Sequence, residues 1–175
     1  MRKISFILVT FVFAALLAAC NNNQEPLIEI GAKISPVSDE EYSKIGAADE
    51  LDNPSQADFK MFEFDLYMEH TDAVKERTID VYNFENLLQV LNEIDGVTRY
   101  WYGGGLRQDN KNENSATYHQ DCVIYTKGLS DEEIRTAFKN EKINLSWVNG
   151  KGEEKQKEYN LSDLIEFGSE GSSDL

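Results

Sequence analysis

The sequence predicts a mainly β domain, an antiparallel, immunoglobulin-like β-sandwich with two short helices in its crossovers. Seven segments either alternate apolar and polar residues or are rich in β-branched and aromatic residues, as strands are. Glycine, proline and asparagine signals separate these segments, which is typical of sandwiches. Two other segments have helical spacing instead. No Cys…Trp…Cys spacing is present, which excludes an antibody-type domain.

The first strands are predicted from apolar residues that recur at every second position. Residues 27–34 place apolar side chains at every second position, and residues 59–70 do so more clearly, with acids and Tyr67 on the other face. Between them, residues 35–58 are polar and acidic, and the Ser38–Glu41 capping box predicts a short helix. A polar turn over 71–76 leads to a third alternating segment, 77–82. We expect these last two strands to pair as a hairpin.

In the middle of the chain, from residue 83, the spacing of apolar residues changes from that of a strand to that of a helix. Apolar residues over 84–94 form one helical stripe, with Asn83 as N-cap and Gly96 as the stop. Residues 97–102 then read as a strand. The Gly103-Gly104-Gly105 run is expected to end it and to begin a polar loop that extends to about residue 115.

The last third continues the alternation. Residues 117–126 predict a central strand, apolar on both faces at its end, and Ser130–Glu133 is a second capping box that opens a helix. Residues 143–148 and 154–159 predict a hairpin around Asn149-Gly150-Lys151-Gly152, with the second strand at an edge. An apolar turn follows over 161–167. The core is expected to contain Phe62, Phe64, Leu66, Leu87, Leu91, Ile124, Phe138, Leu145 and Trp147.

The N-terminus has the layout of a secretory signal. Arg2 and Lys3 precede an apolar run that is shorter than the ~20 residues of a spanning helix, and small residues end it. Leu17-Ala18-Ala19-Cys20 resembles a bacterial lipobox. The resemblance implies cleavage before Cys20, a diacylglycerol on its thiol, and anchoring to the cell membrane on the extracytoplasmic face. With this motif and the general layout, the chain resembles uncharacterised lipoproteins of Gram-positive bacteria that carry a sandwich-like domain, a resemblance that carries over no functional residue.

These observations divide the chain into four parts. We expect a signal peptide over 1–19, a lipidated tether over 20–26, one sandwich domain over 27–167 and a flexible tail over 168–175. Removing residues 1–19 takes away two bases and no acid, so the formal charge changes from −15 to −17. Such a charge repels nucleic acids and anionic lipid, which excludes nucleic acid as a partner, and it favours cations or basic proteins.

Catalytic motifs are sparse. His70 and His119 are the two histidines, and no nucleophile elbow or H-E-x-x-H helix accompanies them. Cys122 lies in an apolar run and reads as a small buried side chain. A pair of catalytic carboxylates for sugar hydrolysis is an alternative that the sequence leaves open. With 32 acids in the chain, the presence of two carboxylates does not by itself indicate such a site.

The most suggestive surface combines aromatic residues with a polar loop. Tyr100, Trp101 and Tyr102 precede the loop that holds Asp109 and Asn112, and aromatic rings beside polar groups suit a glycan or a peptide. Alternation would put Tyr100 and Tyr102 on one face and Trp101 on the other. The loop does not match the EF-hand pattern, so a Ca²⁺ ion could bind only at a site of irregular geometry. No other cofactor is expected.

The leading expectation is a non-enzymatic, lipid-anchored domain that binds or interacts through its loops. Two alternatives stay open: a cell-envelope hydrolase that uses paired carboxylates, and an accessory subunit of a membrane complex. The first predicts convergent acids with perturbed ionisation in a cleft, and the second predicts a large exposed apolar patch. The bilayer, reached through Cys20, and a glycan, peptide or membrane protein are the expected partners.

Overall fold

The computed structural model describes residues 25–46, 51, 53–81 and 89–168, and these residues form a mainly β protein with two sheets. The strands are β1 Leu27–Pro36, β2 Phe59–Glu69, β3 Lys75–Asp80, β4 Tyr100–Gln108, β5 Ser115–Tyr125, β6 Lys142–Val148, β7 Glu154–Asn160 and β8 Ile165–Phe167. One sheet has the order β4-β5-β2-β1-β8 and the other β3-β6-β7. Neighbours pair antiparallel, except that β8 runs parallel to β1.

Strand β2 occupies the centre of the larger sheet, as its strict alternation indicates. It pairs with β5 along its whole length and with β1 from Lys60 to Glu69. Its inward side chains are all buried against both neighbours and against the second sheet: Phe62, Phe64, Leu66 and Met68. Residues Ile79, Leu145 and Trp147 reach the same cluster from β3 and β6, so the two sheets share one core.

The predicted core is confirmed wherever the structure describes it. Every predicted member except Leu87 is at most 2% exposed, and Leu87 lies outside the described residues. A second, smaller cluster lies on the outer face of the larger sheet, around Phe59, Val123 and Tyr125. Tyr42, Ile45 and Leu51 cover it, so the acidic segment between β1 and β2 carries the apolar side chains that seal this end of the sheet.

Both capping boxes are present. Ser38 begins α1 (Asp39–Lys44) and Ser130 begins α2 (Asp131–Ala137), and in each the serine hydroxyl and the glutamate three residues later satisfy each other's backbone amides. Residues 89–92 are helical, and the predicted stop at Gly96 has a φ of 78°. The predicted N-cap Asn83 lies outside the described residues.

Three predicted local features are wrong because partners distant in sequence decide them. Strand β3 does not form a hairpin with β2; it crosses to the other sheet and pairs with β6. The three glycines do not end a strand, because β4 runs through them to Gln108 along β5. The expected turn over 161–167 is a helical turn, α3 (Leu161–Leu164), followed by β8, which pairs with β1.

A β-bulge also corrects the expected faces of the aromatic strand. Tyr100 pairs with Ile124 and Tyr102 with Val123, so Trp101 is an extra residue on β4. The bulge breaks the alternation: Tyr100 packs on the main core, and Trp101 and Tyr102 both pack on the outer cluster.

The predicted signal peptide, the tether up to residue 24 and the tail beyond residue 168 lie outside the described residues. Within the described ranges, no helix is both long enough and apolar enough to cross a membrane.

The glycine run gives a stability test. A Cβ on Gly103 would lie 2.6 Å from Cys122 Cβ and closer still to the Asp121 carbonyl oxygen, whereas a Cβ on Gly31 in β1 would meet nothing within 4 Å. Gly103→Ala should therefore lower the free energy of unfolding by about 1–3 kcal/mol. Gly31→Ala, the matched control, should leave it unchanged or raise it by up to about 1 kcal/mol. Urea melts measure both, and equal midpoints for the two variants would contradict the close approach of β4 to β5.

Candidate functional site

Two loops meet at one end of the larger sheet and enclose a cleft of about 480 Å³. Residues 70–74 join β2 to β3, and residues 109–114 join β4 to β5. They lie together because Glu69 pairs with Ser115 at the ends of their strands, and the His70 amide donates to the Asn114 carbonyl at 2.8 Å. The wall is mostly polar and charged, and the start of β3 completes it.

Arg77 of β3 joins the two loops. Its side chain is 5% exposed and makes an ion pair of 2.7 Å with Asp109. The same guanidinium donates to the carbonyl oxygens of Asn110 and Glu113, both at 3.2 Å. A planar fork of donors is suited to such a task, because it satisfies a carboxylate and several carbonyls at once. Arg77 therefore holds the 109–114 loop of one sheet against a strand of the other.

Both ring nitrogens of His70 are engaged by neighbouring groups. Its Nε2 lies 3.0 Å from an Arg77 nitrogen, and its Nδ1 lies 2.9 Å from the Thr71 carbonyl oxygen. In this arrangement the imidazole orients Arg77 and has no free nitrogen to act as a general base.

Asp109 is the carboxylate that pairs with Arg77, a residue of the cleft lining. Burial opposes its ionisation, but hydrogen bonds from Tyr118 (2.7 Å) and Arg77, with the charges of Arg77 and Arg107, outweigh burial and hold its pKa below the usual range. Burial, and then the hydrogen bond to Asp109, raise the pKa of Tyr118 to about 12. At neutral pH the pair is thus a carboxylate and a protonated phenol, which suits structure better than proton transfer.

The cleft also holds two cations that no described residue pairs. Lys75, on β3, and Lys111, on the 109–114 loop, both line it, and neither makes an ion pair with a described side chain. The lining also includes two acids, Asp72 and Glu76. Between Lys75 and Thr78 the ladder with β6 shifts register, and Glu76 has a φ of 51°. Such bulges redirect side chains and are common beside binding sites. The lining therefore offers two ammonium groups to an anionic group and two carboxylates to hydrogen-bond donors.

The residues predicted as a binding surface are not brought together. Asn112 lines the cleft, and Asp109 accepts a hydrogen bond from the cleft residue Arg77. Tyr100, Trp101 and Tyr102 lie at the opposite end of β4, and about seven residues of strand, or roughly 23 Å, separate Tyr102 from Asp109.

The aromatic residues are engaged in packing, each half-buried. Trp101 contacts the edge of Phe59 with ring centroids 5.8 Å apart, and the Tyr102 hydroxyl donates to the Glu41 carbonyl at 2.8 Å. The neighbouring Arg99 is buried, donates to the Tyr125 carbonyl at 2.9 Å and pairs with Asp95, whose pKa it lowers by hydrogen bonding.

The remaining predicted groups are also accounted for. Cys122 is a buried free thiol, and burial raises its pKa to about 12, which keeps it protonated. His119 pairs with Asp65 at 2.7 Å on the outer sheet face. Among the described residues, no three His, Cys, Asp or Glu side chains form a group that could hold a metal ion.

Sequence reasoning missed Arg77, Lys75 and Lys111. Arg77 lies two positions before the buried Ile79, so alternation places both side chains on the inward face of β3. A charged side chain at an inward position indicates that it has a buried partner. Nothing in the sequence identifies Asp109 as that partner. No protein-family model matches this chain, and neither a curated protein nor a solved structure shows significant similarity to it.

The ion pair predicts a pH-dependent stability difference. A carboxylate with a lowered folded-state pKa stabilises the fold above its unfolded pKa, and this contribution is lost as the pH falls through the folded pKa. Asp109→Asn should lower the free energy of unfolding by about 1–3 kcal/mol at pH 7, and the difference from the wild type should narrow below about pH 4. Glu158→Gln, which removes an exposed pair with Lys142, is the control and should change stability by less than about 0.5 kcal/mol. A difference for Asp109→Asn that does not vary with pH would contradict the ionic role.

Proposed function

We propose that this chain is a lipid-anchored, extracytoplasmic domain with an immunoglobulin-like sandwich fold that binds the anionic group of a glycan or peptide in its cleft. The observation that carries the proposal is the pair of unpaired lysines, Lys75 and Lys111, that face one cleft on a chain of formal charge −15. The lining also carries two acids, Asp72 and Glu76, so the two lysines would bind the anionic group of the ligand and the acids would accept from its hydroxyl or amide groups.

The strand order supports an immunoglobulin-like arrangement. Lettered in chain order, β1 to β7 become A to G, and the sheets then read D-E-B-A and C-F-G. This is the constant-type immunoglobulin order, with β8 added parallel to A. The B–F disulfide of antibody domains has no counterpart, since Cys122 lies on E, and the buried Trp147 lies on F rather than C. In this lettering the cleft is built by the B–C and D–E loops, at the end that carries the binding loops of variable domains.

The anchor and the cleft would lie at the same end of the domain. Leu27 begins β1 and pairs with Glu69, which immediately precedes the cleft loop at His70. Seven residues from Cys20 to Leu27 span at most about 25 Å when extended. A lipid on Cys20 would hold the cleft close to the bilayer surface, so its ligand is expected to be one that reaches that surface.

No observation specifically favours either alternative, the carboxylate hydrolase or the accessory subunit of a membrane complex. Glu141 is the described carboxyl with a raised pKa, from burial and then the charge of Glu93, and it does not line the cleft. The large apolar side chains that the described residues expose, Leu27 and Leu106, lie on β1 and β4, which β2 and β5 separate. A catalytic carboxylate pair and a broad apolar docking patch therefore lack support.

Anchoring is tested at the lipobox. Cys20→Ala should abolish incorporation of radiolabelled palmitate and the cleavage that precedes Cys20, because the thiol is the proposed lipid acceptor. In the wild type, globomycin should make the uncleaved precursor accumulate. Wild-type protein that takes up no palmitate would end the anchoring proposal.

Binding is tested with two probes, acidic dipeptides and glucuronic acid, followed by amide shifts in NMR spectra. Shifts should concentrate in residues 70–78 and 111–114. Replacing Lys75 and Lys111 with alanine should weaken binding about fivefold or more, since each removes one ion pair to the ligand. The control replaces Lys139 and Lys157, which lie outside the cleft, and should bind as the wild type does. Equal loss in both double variants would show that only net charge matters, and the cleft proposal would fail.

A further inference from the structure

The sheet edges are not protected equally. An edge strand presents unpaired backbone groups, and proteins block them with short strands, bulges or charged side chains. Strand β8 is only three residues long. Strand β3 carries a bulge and four charged residues, and β7 carries lysines and glutamates. Three of the four edges in the described residues therefore have a recognisable protection.

The remaining edge is β4, and the only one of these devices in its second half is a single charged side chain, Arg107. Residues 103–108 are exposed and hold no proline, lysine or acid, and Arg107 packs over the Tyr118 ring at 5.1 Å. Leu106 is 50% exposed. No strand among the described residues pairs with the outer side of β4. This half-strand is open to the addition of another strand.

The sheet face beside this edge is acidic. Register partners share a face, and the outward positions of β1, β2, β5 and β8 alternate with the buried core positions. On the half of this face that the 37–51 segment does not cover, Lys33 is the only lysine among the described residues. The carboxylates on it are Glu29, Glu63, Asp65, Glu69, Asp121 and Glu166.

One of these carboxylates reaches the open edge. The Gly104 amide donates to Asp121 Oδ1 at 3.0 Å, and a Cβ on Gly104 would meet only that oxygen within 4 Å. Because glycine has no side chain, nothing on β4 stands between Asp121 and a strand laid along the edge. Two residues further on, Leu106 offers an apolar contact on the same face.

We propose that an extended, basic segment of a partner protein adds to β4 along residues 103–108, with a basic side chain opposite Gly104 that pairs with Asp121 and an apolar side chain opposite Leu106. Backbone hydrogen bonds would supply affinity, and the alternate side chains would supply specificity. A second copy of this chain is the less favoured occupant, because joining two β4 edges would align two acidic faces. This docking surface is separate from the cleft and does not depend on it.

The experiment uses the chain from residue 20 onward with Cys20→Ser, which keeps every described residue. The probe is a blocked peptide in which threonine alternates with arginine and valine, and its matched control replaces each arginine with glutamate. In NMR titrations, the arginine peptide should shift the amides of residues 103–108, and the glutamate peptide should not. Higher salt should weaken binding, because exposed charges contribute to it.

Two variants test the residues. Leu106→Lys places a protective lysine on the edge and should weaken binding at least tenfold, whereas Leu27→Lys, at the other large exposed apolar side chain, should not. Asp121→Asn should weaken it about two- to fivefold. Peptide shifts confined to other strands, no shifts at millimolar peptide, or equal effects of the two lysine variants would overturn the proposal. Concentration-dependent shifts of residues 103–108 without peptide would overturn the choice of occupant and identify a second copy instead.

Discussion

Burial of the inward side chains of β2 is the interaction on which the rest of the structure depends. Phe62, Phe64, Leu66 and Met68 lie between β1 and β5 on one side and the smaller sheet on the other. A one-residue slip of β2 would turn these four side chains to the outer face and bring acids into the core. The register of both neighbours is therefore fixed, and with it the position at which each loop leaves the sheet.

Two buried arginines hold the loops that leave these strands in fixed positions. Arg77 ties the 109–114 loop to β3, and Arg99 ties the end of the preceding helical segment to the last residues of β5. Buried ion pairs add little net stability, because desolvation of both charges offsets their attraction. Their contribution is geometric: each arginine satisfies several carbonyls that would otherwise leave a loop free to move. Arg77 thereby helps to shape the cleft, whose lining includes Lys75 and Lys111, two lysines without an ion-pair partner among the described residues.

The outer face of the larger sheet has a covered apolar part and an exposed acidic part. Near the start of β2, Phe59 and its neighbours are sealed by the segment after β1 and by Trp101 and Tyr102. Toward the other end the face is acidic and open, and β4 borders it with an edge whose one charged side chain, Arg107, packs over the Tyr118 ring. The aromatic residues that suggest a ligand site in the sequence thus close a small core, whereas the glycines that suggest a loop form the accessible edge.

The sequence by itself determined the features that local physics controls. Alternation, or enrichment in apolar, β-branched and aromatic residues, located the seven predicted strands, although the strand predicted over 97–102 begins only at Tyr100. Serine–glutamate pairs located two helix starts, and the spacing of apolar residues located the described core residues. Tertiary structure alone decided which strands became neighbours: β3 with β6 instead of β2, β8 with β1, and β4 running through its glycines along β5. It also decided that Asp109 meets Arg77 and that Trp101 bulges out of phase. The physical reason is that these outcomes depend on contacts between residues far apart in the chain, whose free energies no local pattern of side chains records.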